Sequence, residues 1–204
     1  MKIVLASASP RRRDMLERTG VAFETFASDI DERIECNLPP GEAVSEISKR
    51  KAEHAFQALR IPPRSDTLII AADTLVVIDG EIMGKPSDEE DAFRMIKALQ
   101  SRKHTVFTGV TLIKAGSGGG INNKTFFEAA GVFMRALDEA EIRAYIATGE
   151  PMDKAGAYGI QEKGAVLIER VEGDFHTVVG LPLARLCVEM KSMGVDITDI
   201  WTGG

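Results

Sequence analysis

The sequence has 204 residues and a formal net charge of −6. At ~150 residues per domain this length fits one domain, or one domain with two lobes, and 44% hydrophobic against 27% charged residues is ordinary globular usage that excludes a disordered chain. The acidic balance argues against a bulk binder of nucleic acid or of an anionic membrane, while leaving room for a local basic cleft.

In chain order, Ile3 to Ala8 predicts a first strand. Met1-Lys2 ahead of it only imitates a signal peptide, because the apolar run is short and Arg11-Arg12-Arg13 follows at once. Ser9 as N-cap and Pro10 at the first helical position predict a helix to about Thr19, closed by Gly20. Ala22 to Ala27 predicts a second strand, followed by the acidic turn Asp29-Ile30-Asp31-Glu32. After the break at Pro39-Pro40-Gly41, apolar spacing predicts a long helix from Glu42 to Leu59. Thr67 to Ile78 is the most apolar segment and predicts a buried strand, turned by Asp79-Gly80. Ser87 with Glu90 reads as a capping box for a helix to about Gln100.

His104 to Lys114 and Lys124 to Arg135 predict two strands joined by the glycine-rich stretch Gly116 to Gly120. Asp138 with Glu141 caps a further helix to about Thr148, and Glu150 to Gln161 is irregular. Ala165 to Val171 and Thr177 to Val179 predict strands, and Leu181 to Met193 the last helix. Strands alternating with helices, with two antiparallel pairs, predict an α/β protein with a mixed sheet. No apolar stretch approaches the ~20 residues of a membrane-spanning helix. Cys36 and Cys187 form no C-x-x-C motif; two thiols without a framework fit a reducing, cytoplasmic setting, with a single disulfide as the alternative.

Five features carry possible chemistry. Ser7-Ala8-Ser9-Pro10-Arg11-Arg12-Arg13 puts arginines in the first turn of a helix, where backbone N–H groups already favour an anion; this suits phosphate, or else a solvated basic turn paired with Asp14 or Glu17. Asp73 interrupts a buried apolar strand, where a carboxylate is costly unless paired, hydrogen-bonded or metal-bound, or the strand bulges there and leaves it wet. Lys51, on the apolar side of its helix, and Lys85, between Gly84 and Pro86, suit phosphate neutralisation, or else are a snorkelling and a solvated lysine. Asp29, Asp31 and Glu32 offer oxygen ligands for Mg²⁺ at a strand end, or form an ordinary solvated turn. In Met152 to Gln161, small residues permit close backbone approach and Gln161 offers a donor and an acceptor for a base edge; a packed loop is the alternative. No Walker A loop, H-E-x-x-H or G-x-S-x-G motif is present. With no activated nucleophile in sight, a metal-activated water attacking a phosphate ester or anhydride is then the economical chemistry.

Leu5-Ala6-Ser7-Ala8-Ser9-Pro10-Arg11-Arg12, Lys51-Ala52, Ala72-Asp73-Thr74, Gly84-Lys85-Pro86, Asp153 to Gln161 and Val179-Gly180-Leu181-Pro182 together resemble the Maf family, in order over nearly the whole chain. The resemblance implies a mixed α/β fold similar to inosine triphosphate pyrophosphatases, with two lobes around a nucleotide-binding cleft. It implies cleavage of a nucleoside triphosphate to the monophosphate and pyrophosphate with a divalent metal, Mg²⁺ or Mn²⁺. Arg11, Thr74 and Gln161 match the branch that prefers dTTP and UTP, rather than the 7-methyl-GTP branch. By the same resemblance Ser7, Ser9, Arg11 and Arg12 hold the triphosphate with Lys51 and Lys85. Asp73 activates the water, Glu32 with Asp73 holds the metal, and Thr74 and Gln161 read the pyrimidine. Ala129-Ala130-Gly131 and the Gly116 to Gly120 linker depart from the family's usual pattern outside the motifs. Relatives often form homodimers, but no segment here announces an interface. The rival reading is a non-enzymatic regulator of cell division and septum formation, or a nucleic-acid binder; the acidic charge and the lack of a basic stripe with stacking aromatics argue against the second.

Overall fold

The computed structural model describes residues 1–33 and 38–202, so Cys36 lies outside the described residues. It shows the mixed α/β architecture: a seven-stranded sheet in the order β2 (Glu24–Thr25), β1 (Lys2–Leu5), β3 (Thr67–Ile78), β5 (Lys103–Ala115), β6 (Ile121–Met134), β7 (Ile168–Glu172), with β4 (Glu81–Met83) also paired to β3. Among the described residues, no helix is long and apolar enough to cross a membrane. The chain divides into two compact units. One comprises Met1–Asp73, Thr108–Glu128 and Gly180–Gly204; the other comprises Thr74–Phe107 and Ala129–Val179. Strands β3 (Thr67–Ile78), β5 (Lys103–Ala115) and β6 (Ile121–Met134) each contribute residues to both.

In the first unit, β1 (Lys2–Leu5) runs parallel to both neighbours. It pairs Val4 with Glu24 of β2 (Glu24–Thr25) and Leu5 with Ile70 of β3. The second strand is thus far shorter than its apolar sequence predicts. Helix α1 (Pro10–Glu17) follows β1, and α2 (Pro40–Ala58) covers the sheet. Ala52 and Ala55 of α2 pack with Val4, Ala6, Ile69 and Ala71 in a buried cluster. Small side chains let the helix approach closely, and Gly109 of β5 extends this: a Cβ there would lie 2.4 Å from the Val44 backbone. Helices α6 (Leu183–Ser192) and α7 (Ile197–Thr202) complete the unit, the last without a counterpart in the sequence reading.

In the second unit, β3 turns through Asp79 and Gly80, both at positive φ, and returns as the antiparallel β4 (Glu81–Met83). That is the two-residue hairpin geometry an Asp-Gly pair favours. Helix α3 (Glu89–Leu99) is capped by Asp88, whose carboxylate accepts from the Asp91 N–H at 2.8 Å. The cap therefore lies one residue beyond the predicted Ser87. Helix α4 (Glu139–Ile146) carries the predicted capping box of Asp138 and Glu141. Short 3-10 turns at Glu150–Asp153, Ala155–Ala157 and Glu162–Leu167 lead into β7 (Ile168–Glu172), which pairs antiparallel with β6. The expected strand Thr177 to Val179 is instead part of a short helix, α5 (Phe175–Val179). Asp174 explains the difference: its carboxylate accepts from the N–H groups of His176 at 3.2 Å and Thr177 at 2.9 Å, which satisfies helical rather than ladder donors. Val76, Ile96, Val132, Met134, Ile142, Tyr145 and Tyr158 belong to one buried cluster.

Candidate active site

The side-chain period of a strand is two residues, so Ile69, Ala71 and Asp73 share one face of β3. Ile69 and Ala71 pack against α2, and Asp73 continues their row at the end of the first unit. On α2, Ser48, Lys51, Ala52 and Ala55 form the buried stripe. The two periodicities meet at one point: Lys51 Nζ donates to Asp73 Oδ1 at 2.7 Å, with both residues buried. The same ammonium lies 2.7 Å from Glu32 Oε1, whose side chain is exposed. One cation therefore bridges two carboxylates, one dry and one wet.

Asp73 is only 6% exposed. Burial pushes its carboxyl above the ordinary aspartate value, while the charges of Lys51 and Arg12 pull the other way. Desolvation makes the carboxylate a stronger base than an exposed aspartate, and the two cations temper that effect.

The segment carrying Glu32 is strapped to α2. Arg50 donates to the carbonyls of Asp31 at 2.9 Å and Arg33 at 3.1 Å, on either side of Glu32. Ser28 donates to the Lys51 carbonyl at 3.3 Å and bonds His54 Nδ1 at 2.9 Å. Sequence reasoning did not single out Arg50, because nothing in Ser48-Lys49-Arg50-Lys51 says which cation turns inward to a backbone rather than outward to water.

The loop after β1 supplies the remaining groups. Ser9 caps α1 by accepting from the Arg12 N–H, as predicted. Ser7 Oγ accepts from the Ser9 N–H, two residues on, at 3.2 Å and from Arg12 NH1 at 3.2 Å. The three arginines diverge. Arg13 is exposed beside Asp14 and Glu17, and Arg11 is half-buried. Arg12 is buried, and its Nε donates to the Gly180 carbonyl at 2.8 Å. Gly180 takes φ +119°, a conformation glycine adopts without strain, and this backbone aims the carbonyl at the guanidinium. Loss of solvation lowers the Arg12 pKa, and the nearby Asp73 and Glu32 charges oppose that shift. Part of Arg12's donor set thus holds residues 7 and 180 together, a structural task the phosphate expectation did not include.

The family model described as "Maf-like protein" matches residues 2–193. The chain belongs to the Maf family. A Caldicellulosiruptor saccharolyticus Maf relative named "dTTP/UTP pyrophosphatase" is 45% identical and the match covers 96% of each chain. A Pelotomaculum thermopropionicum protein of the same name is 44% identical, over 96% of this chain and 98% of its own. A Bacillus cereus one is 41% identical, over 97% and 98%. Among solved structures, a HAM1 protein from Coxiella burnetii is 14% identical, with TM-score 0.45 over 66% of this chain and 73% of that one.

The motif residues Thr74, Lys85, Lys154 and Gln161 lie in the second unit. Thr74, half-buried, follows Asp73 on β3 and so points to the opposite face. Lys85 is exposed, and its loop is fixed by the Gly156 N–H donating to the Gly84 carbonyl at 3.0 Å. Lys154 donates to the Glu150 carbonyl at 2.6 Å and to Asp153 at 2.7 Å, which spends this motif lysine on its own turn. Gln161 is half-buried at the head of a 3-10 turn. His104 and Tyr158 form a buried titratable pair here, joined by a 2.6 Å hydrogen bond between ring nitrogen Nε2 and the phenol oxygen. Burial lowers the His104 pKa to about 4, so the ring is neutral at ordinary pH.

Two carboxylates are fewer ligands than an all-protein metal cage needs, and no group of three or more His, Cys, Asp or Glu side chains able to hold a metal occurs among the described residues. The pair Asp73 and Glu32 does fit a hard divalent cation that takes its other ligands from water and substrate phosphates. Both offer carboxylate oxygen around the point where a cation, the Lys51 ammonium, already sits.

Proposed function

We propose that the chain is a nucleoside triphosphate pyrophosphatase that hydrolyses dTTP and UTP to the monophosphate and pyrophosphate. The observation that carries this reading is the buried Asp73 carboxylate, paired at 2.7 Å with Lys51 and sharing that ammonium with Glu32. The names of the Maf relatives at 41–45% identity support the substrate.

In this reading Ser7, Ser9, Arg11, Arg12 and the N-terminus of α1 hold the triphosphate, and Lys51 and Lys85 neutralise its charge. Asp73 takes the proton of the attacking water. The water oxygen bonds to the α-phosphorus, the α–β anhydride bond breaks, and pyrophosphate departs with the bond's electron pair. Asp73 and Glu32 would hold Mg²⁺ or Mn²⁺, which supplies charge neutralisation at the phosphates and a more acidic water. Lys51 then keeps the two carboxylates together when no metal is bound. Thr74 and Gln161 contact the pyrimidine.

The test is a panel of dTTP, UTP, GTP and 7-methyl-GTP with Mg²⁺ and Mn²⁺, scored separately for pyrophosphate and phosphate. The expected result is pyrophosphate release, fastest with the pyrimidine nucleotides. Phosphate release would make the protein an ordinary phosphatase. A preference for 7-methyl-GTP would move it to the other branch of the family.

A further inference from the structure

Tyr145 and Glu150 belong to no motif weighed in the sequence, yet they form the most concentrated polar junction of the second unit. Glu150 Oε1 accepts from the Tyr145 hydroxyl at 3.0 Å and from the Gly164 N–H at 3.1 Å; Oε2 accepts from the Lys163 N–H at 3.1 Å. The Tyr145 oxygen in turn accepts from the Gly159 N–H at 3.0 Å. One carboxylate and one phenol thus hold both ends of the stretch 159–164.

The two ends are pinched together. A Cβ on Gly164 would lie 2.2 Å from the Gly159 carbonyl oxygen and 2.7 Å from the Tyr145 hydroxyl. A Cβ on Gly159 would lie 2.9 Å from the Lys154 side chain and 3.1 Å from Glu150 Oε1. Gly164 is therefore required by close approach to backbone, and Gln161 lies within the loop so closed. Tyr145 is buried in the core of α4, and burial raises its pKa, so the phenol stays protonated and donates to Glu150. Glu150 directly follows Gly149, whose φ of +74° ends the same helix.

A side-chain amide has a donor and an acceptor and will meet many base edges if its backbone can shift. Held at a fixed depth, it meets a base of one size. We propose that Tyr145 and Glu150 are positioning residues that set base preference by fixing the loop carrying Gln161. This rests on the base-contacting role given to Gln161 above.

The experiment compares kcat/KM for UTP and GTP in the wild type, Gln161→Ala, Tyr145→Phe and their double variant. Amide hydrogen exchange is followed at residues 159, 163 and 164. Tyr145→Phe should lower the UTP-to-GTP ratio by about tenfold. The loss should fall mainly in KM for UTP, while kcat/KM for GTP changes little and exchange at the three amides quickens. The double variant should discriminate no worse than Gln161→Ala alone, because both changes remove one contact. Should Tyr145→Phe fail to fold, Glu150→Gln carries the same expectation, since its amide presents a donor where an N–H now donates.

An unchanged ratio in Tyr145→Phe, alongside one abolished in Gln161→Ala, would overturn this inference alone. So would equal losses for both substrates, the mark of a merely structural role. A wild type without preference, or a preference that survives Gln161→Ala, would overturn the base-contacting role of Gln161 and this inference with it.

Discussion

Asp73 and Glu150 are both carboxylates drawn in from solvent, and their partners make them opposites. Asp73, in the first unit, faces mobile charge: the Lys51 ammonium at 2.7 Å, with Arg12 and Glu32 near enough to shift its proton affinity. Glu150, in the second, faces fixed N–H groups and a phenol. An ammonium on a flexible stem can yield to a substrate or a metal, so the carboxylate beside it can change state during a reaction. Backbone donors cannot leave without unfolding the loop that carries them. On the proposed mechanism one acid reacts, and the other holds a loop in place.

The largest way to break this comparison is Asp73→Asn. General base catalysis contributes ~10²–10⁴-fold, and the variant should lose turnover of UTP on that scale. Melting temperature should change little, because the amide oxygen can still accept from Lys51 and Glu32 still pairs with its ammonium. The wild-type pH profile should show an acid limb above the ordinary aspartate range, since burial raises the Asp73 pKa and the enzyme needs the carboxylate. Lys51→Met removes a cation that opposes the shift, so the limb should move further up. Near-normal turnover in Asp73→Asn would remove Asp73 from the chemistry.

The half of this contrast that concerns Asp73 was legible in the sequence, and the half that concerns Glu150 was not. A carboxylate in the run Thr67 to Ile78 violates the local apolar rule, and β3 occupies that run from end to end. Lys51 lies at a helical interval from other inward residues, and the structure joins it to Asp73. Glu150 violates no rule, since an acidic residue after a helix-ending glycine looks solvated. Its partners at 145, 163 and 164 meet only after three 3-10 turns fold, and no period marks such turns. The same limit governs Arg12, whose partner carbonyl is 168 residues away. Thr177-Val178-Val179 failed for the converse reason: β-branched residues favour strands, and the single cap at Asp174 overrode them.

A second prediction separates the units by pH. His104 is 2% exposed in the second unit, and its pKa falls from 6.5 to about 4 on burial. The unfolded chain therefore binds a proton that the folded one refuses. The contribution is complete above pH 6.5 and is lost as pH falls through that value toward about 4, by up to ~3 kcal/mol. Asp73 has the opposite sign, because the folded state keeps its proton to higher pH than the unfolded chain does. Acid should therefore loosen the second unit while easing the strain of a buried charge in the first. Melting curves from pH 7.5 to 4.5, compared with His104→Gln, isolate the histidine's share, because glutamine can still bond Tyr158 but does not titrate. Parallel curves would show that His104 is not the group responsible.

The smallest expected effect sharpens the comparison within one turn of helix. Arg12 and Arg13 are neighbours, but about 100° of helical rotation sends one inward and the other out. Arg12→Ala strands the Gly180 carbonyl in a buried place, while the Ser7 hydroxyl keeps the Ser9 N–H, and a buried polar group left without its partner costs about 1–3 kcal/mol. Arg13 stands 3.5 Å from Asp14 and 3.7 Å from Glu17 with half its side chain in water. Exposed pairs of that kind contribute at most about 1 kcal/mol, so Arg13→Ala should leave both the melting temperature and kcat/KM for UTP close to wild type. A large loss of activity with unchanged stability in Arg13→Ala would mean that the triphosphate reaches around the helix, and that the outward arginine belongs to the binding site as much as the inward one.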